Sequence, residues 1–176
     1  MPSDTDKRDW SQLFTMGWDK YKMKINLVEK NNQFQSISRR ISKNSLNYCA
    51  SFQAWNAGDI SGESVQRIVK QALGANAKVG GTYSINHNEM IDKIEKGFLF
   101  AGDEGAHPNL KLIGSASYRA EIAELIKEFD NWLKHADQII GFWLKDGHPF
   151  YPVFWDYAYV IELGTNAYVF IGSSSD

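Results

Sequence analysis

The loop from Gly102 to Pro108 gathers three side chains that could bind a metal or transfer protons. It contains Asp103, Glu104 and His107 between glycines and a proline. Two carboxylates and an imidazole can bind a divalent cation or work as acid and base. Their spacing matches no known metal motif, and turns favour glycine and aspartate for conformational reasons. We therefore predict neither a metal nor a cofactor, and keep the loop as one candidate catalytic site.

A second candidate group surrounds a turn at Asp146 and includes His148, Tyr151 and Asp156. Asp156 interrupts an otherwise apolar, aromatic stretch. A buried carboxylate needs a partner, because an unpaired buried charge is costly. Asp156 is therefore either an acid in a pocket, a hydrogen-bonded anchor or an outward-facing residue.

A basic cluster near residue 40 could contact phosphate groups. It consists of Arg39, Arg40 and Lys43, with serines interleaved between the cations. Such side chains commonly bind the nucleic-acid backbone. However, the chain has a formal net charge of −2, whereas nucleic-acid-binding domains usually carry a strong basic excess. Nucleic-acid binding is therefore kept only as an alternative function.

The aromatic content is high, with six Trp, eight Tyr and ten Phe. Many of these residues crowd into one stretch near the C-terminus: Phe142, Trp143, Phe150, Tyr151, Phe154, Trp155, Tyr157 and Tyr159. A small sheet cannot bury all of these rings, and exposed aromatic side chains favour binding surfaces. We predict that Trp143, Tyr151, Trp155 and Tyr157 contact a partner.

Helical periodicity dominates the chain up to this stretch. The predicted helices cover residues 10–28, 33–57, 65–73, 86–97 and 118–136. Asn31 and Asn32 interrupt the apolar pattern between the first two helices. Residues 23–29 fit a helix or a strand equally well, because their apolar positions also alternate. Asn86 and Glu89 have the spacing of a capping box at the start of the fourth helix.

The C-terminal part of the chain has the pattern of strands. Strands are predicted over residues 138–145, 153–162 and 167–171, with shorter ones at 82–85 and 98–101. Asp146 and Gly147 can form a hairpin turn. Residues 153–162 are apolar on both faces, which favours a central position in the sheet. The pattern predicts an α+β fold with about four to five N-terminal helices packed on a C-terminal antiparallel sheet of about three to four strands.

The 176 residues fit a single domain spanning residues 1–176, since domains commonly hold about 100–200 residues. Residues 1–6 are expected to fray, and residues 173–176 to form an exposed tail. A lone cysteine, Cys49, is read as a buried thiol in a helix, and one cysteine cannot form an internal disulfide. The sequence has neither a secretory signal nor a run of ~20 apolar residues, so we expect a cytoplasmic protein without membrane segments.

The leading functional hypothesis is a non-enzymatic binding or accessory protein, which acts through a protein partner or a homodimer. Its basis is the aromatic C-terminal hairpin together with the lack of a catalytic motif. The first alternative is an enzyme acting on a small molecule, with hydrolase-like acid–base or metal-assisted chemistry in the 102–108 loop or the Asp156 region. The second is a nucleic-acid binder that uses Arg39, Arg40 and Lys43.

Overall fold

The computed structural model describes residues 26–60, 62–146 and 154–176, which form five helices and five strands. The helices are α1 (Leu27–Ser42), α2 (Val65–Leu73), α3 (His87–Phe98), α4 (Leu110–Ile113) and α5 (Ala116–Leu133). The strands are β1 (Cys49–Asp59), β2 (Val79–Ser84), β3 (Gln138–Leu144), β4 (Asp156–Leu163) and β5 (Asn166–Ser175). The predicted α+β class is confirmed. None of the described helices has the length and apolar character that a membrane span requires.

All five strands form one antiparallel sheet with the order β1-β5-β4-β3-β2. The predicted central strand, β4, lies in the middle and pairs with β3 and β5. β5 also pairs with β1, from Asn166 opposite Asp59 to Ser175 opposite Cys49. The sheet therefore has one strand more than the upper end of the prediction, and two of its strands come from the N-terminal half of the chain.

Each face of the sheet carries its own core. On one face, α1, α3 and α5 pack against large rings, and we call this the aromatic face; its strand residues include Phe52, Tyr157, Tyr159, Tyr168 and Phe170. On the opposite, aliphatic face, α2 packs against smaller side chains, among them Ala158, Val160, Ala167, Val169 and Ile171. Residues alternate between these faces along β4 and β5 because successive side chains of a strand point in opposite directions.

The predicted helix over residues 33–57 is wrong. Its first part belongs to α1, but Asn44 and Asn47 adopt positive φ angles of 61° and 42° and turn the chain into β1. In β1, Ala50, Phe52 and Ala54 are buried in alternation, which is the period of a strand. Cys49 begins this strand and is exposed, so the expected buried helical thiol is wrong as well.

Asn31 and Asn32 do not break the chain, since both lie inside α1. The Asn31 side chain donates a hydrogen bond of 2.8 Å to the Ala54 carbonyl and accepts one of 2.9 Å from the Ala54 amide. It therefore ties α1 to β1, an edge strand. α1 begins at Leu27, so the last three residues of the ambiguous 23–29 segment are helical. Residues 1–25, which include residues 1–6 and most of the predicted 10–28 helix, lie outside the described residues.

The remaining helices follow their predicted patterns closely. α2 ends at Gly74, and α3 begins with the expected reciprocal capping box of Asn86 and Glu89. Ser115 caps α5 by accepting a hydrogen bond from the Tyr118 amide. α4 was not predicted, and residues 98–101 end α3 and enter a loop instead of forming a strand.

The predicted exposed tail is mostly wrong. Ser173 and Ser174 are each 1% exposed because β5 lies between β1 and β4 for its whole length. The small side chains suit this position. Gly172 leaves space for the ring of Tyr157, whose hydroxyl oxygen would lie only 2.6 Å from a Cβ at residue 172.

Candidate interaction surfaces

Three aromatic side chains form a stack along the start of β4. Trp155, Tyr157 and Tyr159 are two residues apart, so an extended chain points all three to the same face. The ring centroids of Trp155 and Tyr157 lie 5.6 Å apart and those of Tyr157 and Tyr159 lie 5.4 Å apart, with interplanar angles of 17° and 13°. This stack forms the centre of the aromatic face.

The aromatic side chains continue across the sheet over glycine positions. Gly141 on β3 lies opposite Tyr159 and beneath the ring of Tyr83 from β2. On β2, Gly80 lies beneath the Trp143 indole, and a Cβ there would approach the indole Cδ1 to 2.7 Å. Aromatic rings commonly cover glycines on neighbouring strands in this way and help to fix the register.

The outer members of this aromatic group reach the surface. Trp143 is 49% exposed, whereas Tyr83, Phe100 and Trp155 are half-buried. We call these four residues the aromatic patch. Tyr157, a predicted contact residue, is only 5% exposed and belongs to the core.

A cleft of about 230 Å³ lies within the patch, between α3 and the start of β4. Its lining includes Phe100 and Trp155, together with the basic residues Lys93 and Lys96. The Lys93 ammonium group also lies 5.5 Å from the centroid of the Tyr83 ring, a favourable cation–π geometry. The cleft therefore joins apolar walls to a rim of mixed charge, because Asp156 lines it as well and Lys96 forms a 2.7 Å ion pair with Asp92.

The tyrosines of this face remain protonated at neutral pH. Burial raises the pKa values of Tyr157 and Tyr159, and the negative charge of Asp156 raises that of Tyr159 further. Burial also raises the pKa of Tyr48 to about 12, and the Trp155 indole donates a hydrogen bond of 3.1 Å to its hydroxyl. These buried groups are therefore neutral hydroxyls and not phenolate bases.

The 102–108 loop uses its polar groups to hold its own shape. The Asp103 carboxylate accepts hydrogen bonds of 2.8 and 2.9 Å from the Gly105 and Ala106 amides. His107 Nδ1 lies 2.8 Å from the Pro108 carbonyl, while the His107 backbone pairs with Leu46. Glu104 is exposed. These contacts explain Asp103 and His107 as structural residues.

The candidate group around Asp156 is only partly described. Asp156 is exposed and lines the cleft. Asp146 lies 3.9 Å from the Lys78 ammonium group at the end of the β2–β3 pair. His148, Tyr151 and the turn residue Gly147 lie outside the described residues. Across the part of the chain that the structure describes, no three His, Cys, Asp or Glu side chains are grouped so that they could hold a metal ion.

The basic cluster is divided between two roles. Arg40 forms a 2.6 Å ion pair with Glu121 and lies over the ring of Tyr118, so it connects α1 to α5. Arg39 and Lys43 are exposed, and the Arg39 guanidinium bonds the Gln35 carbonyl at 3.3 Å. Of the three predicted phosphate-binding cations, Arg39 and Lys43 are therefore exposed to solvent, whereas Arg40 is engaged between the two helices.

Sequence reasoning missed an apolar groove of about 330 Å³ between α1 and α5. Its floor and walls are apolar, with Leu27, Phe34, Ala54, Leu125, Phe129, Trp132, Tyr168 and Phe170, and its rim carries Asn26, Glu29, Lys30 and Glu128. Lys30 and Glu128 form an ion pair across this rim. The groove exists because β1 lies beside α1 and contributes Ala54. The helical pattern of residues 33–57 predicted a single helix there, so β1 could not be placed beside α1 from the sequence.

No protein-family model, curated protein or solved structure matches this chain.

Proposed function

We propose that this protein is a small non-enzymatic binding protein, and that a protein partner contacts the aromatic patch. The observation that carries the proposal is the 49% exposure of Trp143 on the sheet face that also holds the half-buried rings of Tyr83 and Trp155. Trp and Tyr are the side chains that most often dominate the binding energy of protein interfaces. They bury a large area while fixing few rotatable bonds.

The patch is held in place before any partner arrives. Trp143 and Tyr83 lie on paired strands of one sheet, and Trp155 stacks on Phe52 and Tyr157. Side chains already fixed by packing lose little conformational entropy when a partner binds. A rigid aromatic surface therefore favours binding.

The surroundings of the patch resemble the rim of an interface. Lys93 and Lys96 stand beside the half-buried rings of Phe100 and Trp155, and an apolar centre with a polar border is typical of protein–protein contacts. Lys96 is paired with Asp92, and Asp156 lines the same cleft, so this rim of mixed charge favours a partner segment with polar or charged residues of both signs beside its apolar contacts. A second copy of the chain is the alternative occupant, since a two-fold interface uses the same patch on both subunits.

The enzymatic and nucleic-acid alternatives have less support. The carboxylate of Asp103 is used within its own loop, and the tyrosines near Asp156 have raised pKa values that oppose a role as bases. Arg40 is engaged with Glu121, so the basic cluster retains few cations for phosphate groups.

The test compares two exposed apolar residues of equal accessibility. Trp143 and Leu110 are both 49% exposed, but Leu110 begins α4, away from the patch. Full-length wild type, Trp143→Asp and Leu110→Asp are each purified from the native host, and co-purifying proteins are quantified by mass spectrometry. Sedimentation velocity of each protein alone measures self-association.

We expect one stoichiometric partner, or a dimer, that the Trp143→Asp variant loses and the Leu110→Asp variant retains. Loss of one interface anchor costs about 2 kcal/mol or more, which is roughly a thirtyfold loss of affinity. Equal recovery of the partner with both variants would contradict the assignment of the patch. A monomer without any stoichiometric partner in all three preparations would contradict the proposed function itself.

A further inference from the structure

We infer that the groove between α1 and α5 receives this chain's own N-terminal segment, through Phe14 and Trp18. The inference concerns a different surface from the aromatic patch, and it holds whether or not that patch binds a partner.

The groove lies at the start of α1. Asn26 and Leu27 line it and also begin the described part of the N-terminal region. The preceding 25 residues therefore enter the fold at the mouth of the groove, so their effective concentration there is high. An intramolecular contact across a short connection needs little intrinsic affinity.

The N-terminal segment carries large aromatic side chains at helical spacing. Phe14, Trp18 and Tyr21 have the i, i+4, i+7 spacing of side chains that share one face of a helix. An amphipathic segment with this spacing commonly binds by inserting its apolar face into a hydrophobic groove. The volume of about 330 Å³ lies at the low end of ligand pockets, which span ~300–1,000 Å³. It suits one or two large side chains better than a whole helix.

The groove is chemically suited to a polypeptide. Phe129 and Phe170 provide apolar contacts, and Trp132 is 6% exposed with an indole N–H that has no hydrogen-bond partner among the described residues. Buried donors are normally satisfied, and a docked segment brings carbonyl groups that can accept this bond. Glu29 at the rim is complementary in charge to the lysines at positions 20, 22 and 24, whereas Glu128 is already paired with Lys30.

The experiment measures access to the groove in the full-length protein. Cys49→Ser removes the only natural thiol, and Glu128→Cys places a thiol on the rim, where the glutamate side chain is 58% exposed. The rate of maleimide labelling is then compared with and without the double change Phe14→Ser/Trp18→Ser. The matched control, Asp9→Ser/Gln12→Ser, alters polar positions of the same segment that take no part in the proposed contact.

We expect Phe14→Ser/Trp18→Ser to accelerate labelling about tenfold, which corresponds to a docked state favoured by about 1.4 kcal/mol. The control should label at the wild-type rate, and both rates should be independent of protein concentration. Equal labelling of all variants overturns the inference. Protection that disappears on dilution also overturns it, because it assigns the groove to a second copy.

A second measurement separates docking from unfolding. A synthetic peptide of residues 5–25, added in excess, should restore protection to the Phe14→Ser/Trp18→Ser protein, whereas the same peptide with both serines should not. An unfolded variant labels rapidly with either peptide. In that case, the measurement uses the protein that keeps Phe14 and Trp18, with excess wild-type peptide present. Its maleimide-labelling rate is followed at urea concentrations below the unfolding transition. A labelling rate that does not change with urea contradicts a docked segment.

Discussion

The two faces of the sheet use the same strands and different side chains. On the aliphatic face, one nine-residue helix, α2, covers small and β-branched residues such as Val160 and Val169. On the aromatic face, α1, α3 and α5 pack against rings that include Tyr159 and Phe170. The groove of about 330 Å³ and the cleft of about 230 Å³ both lie on this second face.

The difference shows how a binding surface can arise from core composition. Small side chains interdigitate closely, so a short helix is sufficient to exclude water from them. Large rings fill space in fixed orientations, and they require glycines such as Gly141 and Gly172 to make room for neighbouring rings. The face built from large rings is therefore the one on which the groove and the cleft lie.

The largest effect should follow from removing a central ring of the aromatic face. Phe170 is 1% exposed and its ring lies 5.2 Å from that of Phe129 and 5.4 Å from that of Phe34. Phe170→Ala should lower the free energy of unfolding by about 3–5 kcal/mol, whereas Ile171→Val on the opposite face should lower it by about 0.5–1.5 kcal/mol. Urea unfolding followed by circular dichroism measures both. Equal losses would show that the two faces contribute alike.

Alkaline pH should weaken the aromatic face selectively. The pKa of Tyr48 rises from 10.0 to about 12 in the folded protein, so the folded state holds this proton more tightly than the unfolded chain does. The resulting stabilisation is complete below pH ~10 and disappears as the pH rises through ~12, with a limit of about 3 kcal/mol. Urea unfolding at several pH values should show a smaller alkaline loss in Tyr48→Phe than in wild type. An identical loss would place the titrating groups elsewhere.

Adding one methyl group on the aromatic face should also destabilise the protein. Gly172→Ala forces a Cβ against the ring of Tyr157, and such overpacking costs about 1–3 kcal/mol. Gly105→Ala is the control, because its Cβ would meet only Asp103 Oδ1 at 3.5 Å. In a thermal unfolding series, the cost of Gly172→Ala should shrink in a Tyr157→Leu background. A cost that persists there would mean that the backbone, not the ring, opposes alanine.

The smallest effect distinguishes two buried hydroxyl groups of the same face. Tyr118 donates a 2.9 Å hydrogen bond to the Phe98 carbonyl, whereas the Tyr157 hydroxyl has no hydrogen-bond partner among the described residues. Tyr118→Phe should therefore cost about 1 kcal/mol, while Tyr157→Phe should be neutral or slightly stabilising. Chemical denaturation resolves the difference. A clear loss in Tyr157→Phe would reveal a partner for that hydroxyl.

Local patterns predicted much of the fold. α2, α3 and α5 have uninterrupted helical periods with recognisable ends, and β3, β4 and β5 are consecutive strands joined by turn residues. β1 was misassigned because Tyr48, Phe52 and Trp55 fit a helical period, while Ala50, Phe52 and Ala54 fit the period of a strand. The pairing of β1 with the distant strand β5 decides between them, and a single sequence does not reveal that pairing.

The candidate site was predictable to a similar extent. The surplus of aromatic residues pointed to Trp143 and Trp155, which do lie at or near the surface. Burial of Tyr157 could not be foreseen, because it depends on the space left by Gly172 and Gly97. Gly80 lies in a strand beneath an indole ring, and nothing in the local sequence indicates that contact. Such contacts join residues far apart in the sequence and leave no periodic signal.

The pairing of β1 with β5 also has a consequence for biosynthesis. Cys49 and Ser175 are 126 residues apart, so β1 leaves the ribosome long before its only sheet neighbour among the described strands is made. Phe52 and its unpaired edge stay available to chaperones or to other nascent chains during that interval. Because such distant pairing requires costly loop closure, folding should take milliseconds to seconds, and the final step should be the insertion of β5 between β1 and β4.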